Sequence, residues 1–177
     1  MRVRVLVDGK RQQLERITMA AKLDWRAAIL AALIAGVVFM MLEMVLVATF
    51  GGGSLWGPPR MIGAMLLGKD VLPPPATFDL GVMMTAMMIH FVTAVVYAVI
   101  LGWVISHRRL TLGASLVAGL VFGLLIYFAN FYLFTEIWPW FAMARNWISV
   151  FSHVMFGLVL GWTYHAMASK RWSVREH

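Results

Sequence analysis

Four apolar stretches, each long enough to cross a lipid bilayer, dominate this chain: residues 27–50, 80–106, 112–134 and 148–168. A helix rises about 1.5 Å per residue, so about 20 apolar residues span the hydrocarbon layer. Lipid offers no partner to backbone N–H and C=O groups, and a lone segment satisfies them only by coiling into a helix. Charged residues are 13% of the 177, about half the share in a soluble domain. The expected fold is an all-α membrane protein with one four-helix transmembrane domain over residues 27–168. A basic segment, 1–26, precedes it and a short tail, 169–177, follows. There is no cysteine, which excludes disulfides, thiolate metal sites and thiol nucleophiles.

The basic residues predict an orientation. Arg2, Arg4, Lys10, Arg11, Arg16, Lys22 and Arg26 precede the first stretch, Arg108 and Arg109 separate the second and third, and Lys170, Arg171 and Arg175 follow the fourth. Only Arg60, Lys69 and Arg145 fall on the opposite side. Because basic loops stay cytoplasmic, both termini are expected there. Trp56, Trp138, Trp140 and Trp147 then form an outer aromatic belt. The net charge of +7 is a membrane-orientation signal, and no nucleic-acid partner is expected. The first 24 residues carry Asp8, Glu15 and Asp24 among the bases, with no small-residue cleavage site after the apolar run, unlike a cleavable signal. RVRVLV with Asp8-Gly9 fits a small hairpin, and QQLERITMAAKL fits an amphipathic surface helix equally well.

The segment AALIAGVVFMML (31–42) matches ASLVAGLVFGLL (114–125) at seven of twelve positions. Trp56-Gly57-Pro58 has its counterpart in Trp138-Pro139-Trp140, and Gly102-Trp103 in Gly161-Trp162. The expected architecture is thus two parallel two-helix repeats, related by an axis along the membrane normal. Their outer connections differ. The first, residues 51–79, is long; Pro59 to Leu67 is expected to form a short interfacial helix, started by proline and ended at Gly68. Pro73-Pro74-Pro75 then gives a stiff extended return. Long loops in compact proteins usually do something, so Trp56, Pro58 and Arg60 are candidates for a lid. Ala31, Ala35 and Gly36, and Ala114, Ala118 and Gly119, put small residues at helical spacing, where helices approach closely. Gly157 and Gly161 form a GxxxG. Asn130 is expected to make an interhelical hydrogen bond.

Glu43 is the one acidic residue inside the apolar stretches. A charge at bilayer depth costs about 2.5–3.5 kcal/mol on insertion scales. Counted from the inner helix ends at ~1.5 Å per residue, Glu43, His90, His153 and Tyr127 all lie ~22–24 Å up. One polar group per helix at one level predicts an intramembrane polar cluster. Met83, Met87 and His90 share a face, Met40 and Met44 flank Glu43, and Met155 lies near His153. Thioether with imidazole suits copper and paired imidazoles suit haem, so His90, His153, Glu43, Met87 and Met44 are candidate metal ligands. No H-E-x-x-H or Glu-x-x-His supports a defined site, and hydrogen-bonded glue with methionine as core filler is the structural alternative. No triad, nucleotide loop or paired catalytic carboxylates point to an enzyme.

The runs AGVVFMMLEM, GGGSLWGPPRMIGA and LPPP, across the first two stretches and their connection, resemble a group of small bacterial four-span membrane proteins loosely labelled transporter-like. The resemblance implies a bacterial inner membrane and no assigned activity. Three functions remain open: an accessory subunit of a larger, redox-type membrane complex; a small homo-oligomeric transporter or channel using Glu43; and a metal- or haem-binding bundle. The expected partners are the bilayer, and either other membrane subunits or further copies of the chain.

Overall fold

The computed structural model describes residues 23–74 and 76–174; the alternatives for the N-terminal segment lie outside them. Four long helices form the body: α1 (Trp25–Thr49), α3 (Leu80–Arg108), α4 (Leu112–Phe128) and α5 (Trp147–Val174), with the short α2 (Gly57–Leu67) between the first two. The four candidate spans run Trp25–Thr49, Leu80–Arg108, Leu112–Glu136 and Trp147–Ser169. The chain is a multi-pass membrane protein. The third span ends irregularly: a π-helical turn, Ala129–Leu133, follows α4, and short 3-10 turns lead to α5.

Each long helix starts at a side-chain cap. Asp24 Oδ1 accepts from Ala27 N at 3.1 Å, Asp79 Oδ1 from Val82 N at 2.9 Å and Thr111 Oγ1 from Ala114 N at 3.3 Å. Asn146 Oδ1 accepts from Ile148 N and Ser149 N. Such caps satisfy N–H groups that no earlier turn can reach. Between α3 and α4 the chain reverses at Arg109, whose φ of 46 is left-handed, and Leu110 N returns to Ile105 O.

The α5 helix is the centre of the bundle, packed between α4 and α1, and α3 packs on α1 and less extensively on α5. Small residues make this closeness feasible, since helices in lipid associate by contact rather than by hydrophobic drive. Two GxxxG faces meet: a Cβ on Gly119 would collide with Gly157 O, one on Gly123 with His153 O, and one on Gly161 would lie 2.6 Å from Ser115 O. The α4 face in use is therefore Ser115, Gly119 and Gly123; Ala114 is exposed and Ala118 half-buried. On α1 the expected face holds: Ala31, Ala35 and Gly36 are buried, and a Cβ on Gly36 would meet Phe91 at 2.9 Å. The opposite side of α1 exposes Leu33, Val37 and Met41, an apolar surface suited to lipid.

At the end that carries the termini, Tyr164 locks three elements. Its hydroxyl lies 2.6 Å from Ser106 Oγ and accepts from Asp24 N at 3.1 Å, and its ring fills the space above Gly102. At the other, loop end, α2 folds against α3, where a Cβ on Gly63 would meet Val82. The expected short helix is present and starts two residues earlier than its prolines suggest.

Candidate functional site

Although joined by a short turn, α3 and α4 pack only weakly on each other, whereas α5 packs tightly on both α1 and α4. The loop-end half of the bundle therefore contains a cavity of about 520 Å³. Its floor is Ala94, Tyr97, Ile126 and Phe156. Glu43 from α1, His90 and Thr93 from α3, and Ser149 and His153 from α5 line its walls, with Asn130 from the π turn.

Its roof comes from α2 and the shorter second outer loop. Met61, Ile62 and Met65 face it from one side, and Phe134, Trp138 and Phe141 from the other. Trp140 Nε1 joins the two halves by donating to Met61 O at 3.0 Å. Arg60 fastens α2 to the returning strand of its loop: Nη1 donates to Val71 O at 2.9 Å and Nε to Thr77 O at 2.8 Å. Trp56 packs on Phe78, with centroids 4.9 Å apart, and Pro58 lines the cavity. On the second loop, Arg145 Nε donates to Phe131 O at 2.6 Å, and its guanidinium lies 4.4 Å from the Tyr132 ring centroid. It thus satisfies a carbonyl that the π turn leaves without its helical partner.

The wall's polar groups form a directed chain. Tyr97 OH donates to Asn130 Oδ1 at 3.3 Å. Asn130 Nδ2 lies 3.2 Å from His153 Nε2, and His153 Nδ1 lies 2.7 Å from Ser149 O. A carbonyl oxygen only accepts, so His153 carries its proton on Nδ1 and Nε2 accepts from Asn130. His90 likewise donates from Nε2 to Gly36 O at 3.0 Å. Asn130 thereby ties α3 to α5 through the end of α4.

Glu43 stands apart. It is 7% exposed and faces the Ser149 and Ser152 hydroxyls, yet its Oε1 and Ser152 Oγ complete no hydrogen bond. Of the four residues expected at one level, Glu43, His90 and His153 share the cavity. Tyr127 is buried beside it, its ring 5.9 Å from that of His153.

The Phe39 ring contacts both imidazoles, stacking on His90 at 5.4 Å and meeting His153 edge-on at 4.8 Å. Three of the four imidazole nitrogens are already bonded to protein. Met44 and Met87 are not among the lining residues. Among the described residues, no three His, Asp or Glu side chains are grouped to hold a metal.

Tyr97, Phe39, Ser149, Ser152 and Arg145 were not expected at the site. Ser149, Ser152, His153 and Phe156 follow i, i+3, i+4, i+7, a helical face visible in the sequence. The chain matches no protein-family model, no curated protein and no solved structure.

Proposed function

We propose that this protein binds a small molecule in the roofed cavity between its helices and works as a small transporter. One observation carries the reading: a cavity of about 520 Å³, mostly apolar, with a few polar groups set among its walls. Ligand sites are of this size and character, and bundles place them between helices. Glu43 is the ionisable residue such a site needs, since charges at membrane depth mark ligand and ion paths.

By the distribution of basic residues, the termini are cytoplasmic and the roof faces the opposite side. In that orientation α2 and the second loop are the gate, and Arg60 and Trp140 are its fastenings. In this reading the pairs α1–α3 and α4–α5 are the two copies of the sequence repeat, joined tightly through α1 and α5, with the cavity where α3 and α4 pack weakly. An accessory-subunit role is the alternative and rests on the small extramembrane mass.

Thermal-shift measurements on purified protein in lipid nanodiscs test the reading, using small aromatic amphiphiles such as 4-phenylbutanol. Wild type is expected to gain thermal stability in their presence, and Thr93→Trp, which fills the cavity from α3, to gain none. Equal behaviour of the two proteins would sink the proposal. Co-purification with fixed stoichiometric partners, without any such binding, favours the accessory role.

A further inference from the structure

The polar groups around the cavity are mostly used up by the protein itself. His90 Nε2 is bonded to Gly36 O, and both His153 nitrogens are bonded, to Ser149 O and to Asn130. Glu43 Oε1 is the exception: buried, it has no hydrogen-bond partner, and neither has Ser152 Oγ. A buried acceptor in that condition carries an uncompensated desolvation penalty, larger if charged. Among the described lining residues Glu43 is the only acid, and no lysine or arginine is present to offset it. Aromatic rings supply much of the rest of the wall: Phe39, Tyr97, Phe131, Trp138, Phe141 and Phe156. The faces of such rings attract cations, most strongly where water is excluded.

We propose that the cavity selects a lipophilic organic cation, an amine or ammonium group on an aromatic or alkyl body, with its charged head against Glu43. The proposal rests on the binding function above and adds the charge of the ligand. A neutral alcohol satisfies the orphaned oxygen but brings no charge to hold the carboxyl ionised, so it meets the protonated acid. An anion meets a like charge, with no basic side chain in the lining to answer it. An ammonium supplies both the hydrogen bond and the opposite charge, and the rings complete its shell.

The experiment is equilibrium binding of 4-phenylbutylamine to the full chain in phosphatidylcholine nanodiscs, with uptake by protein-free discs subtracted. The alcohol 4-phenylbutanol and the acid 4-phenylbutyrate, matched in size, are run beside it. The amine is expected to bind at least about tenfold tighter than the alcohol, which corresponds to about 1.4 kcal/mol, and the acid more weakly than either. In Glu43→Gln the amine's advantage should vanish while the alcohol still binds. Equal affinity of amine and alcohol for wild type overturns the cation proposal and leaves the binding function intact. Failure of all three to bind overturns both. Should Glu43→Gln not fold, the wild-type ratio of amine to alcohol decides alone.

Discussion

Gly119 of α4 and Gly157 of α5 lie back to back, each with its carbonyl where the other's Cβ would stand. Backbone is thus the contact surface between these helices, and no side-chain rotamer can relieve an added methyl group. Gly119→Ala is expected to cost about 1–3 kcal/mol, the usual range for overpacking a tight contact. The readout is the melting temperature in mild detergent. Gly113→Ala is the control, because nothing lies within 4 Å of a Cβ there. It should leave stability unchanged or slightly raised, as alanine is the better helix former. Equal losses in the two variants would refute the close-packed interface.

Asn130 is the hinge of the polar wall, accepting from Tyr97 and donating to His153. Asn130→Leu strands both partners at once. Interhelical hydrogen bonds in membrane proteins average about 0.6 kcal/mol, with a maximum of about 1.7, so a loss of about 1–2 kcal/mol is expected for the pair. A double-mutant cycle with Tyr97→Phe isolates one half. The second substitution should cost much less in the Asn130→Leu background than in wild type. Strict additivity would show that the two side chains do not interact.

The architecture was largely legible before any coordinates. Hydropathy marks the four spans because lipid forces each apolar run to be a helix, and Pro58-Pro59 and Gly68 bracket α2 for local steric reasons. The common level of Glu43, His90 and His153 was also readable, since rise per residue sets depth. Depth does not set rotation, however, so Tyr127 at the same level lies beside the cavity rather than in its lining. The helix faces were harder for the same reason. These spans are apolar all round, with no stripe to mark the inside, so of the expected face Ala114, Ala118 and Gly119 only Gly119 is at the interface, beside Ser115 and Gly123. Nor could the sequence reveal that Phe39 contacts both imidazoles, because that placement depends on how α1 rotates against both α3 and α5. The π turn that delivers Asn130 and Phe131 has no sequence signature that we recognise.

Tyr164 is 1% exposed and Ser106 fully buried, and their hydroxyls are 2.6 Å apart. Tyr164→Phe keeps the ring over Gly102 and removes only the oxygen, leaving Ser106 Oγ and Asp24 N without it. The expected loss is about 1–3 kcal/mol, set by the polar groups left behind. Tyr164→Phe with Ser106→Ala should recover part of that loss, since no hydroxyl then remains unpaired. Thermal melting of the three variants checks the order: wild type most stable, the double variant next, Tyr164→Phe last.

Arg60 holds the roof by geometry that no other residue type reproduces. Its guanidinium reaches Val71 O with one nitrogen and Thr77 O with another, clamping the loop return to α2. Lysine carries the charge but not the planar fork, so Arg60→Lys should retain part of the effect and Arg60→Ala none. Because the residue is part-exposed, removing it is expected to cost about 1–2 kcal/mol locally, below the upper range for charged hydrogen bonds. That corresponds to roughly a 5–30-fold increase in the open population. Hydrogen exchange reads it directly: amides of the segment 69–77 should exchange faster in Arg60→Ala, while those of α4 and α5 stay unchanged. A roof that gates the cavity also predicts a kinetic effect, with ligand entering and leaving faster at nearly constant affinity. Unaltered exchange in the loop would show that Arg60 is not its fastening.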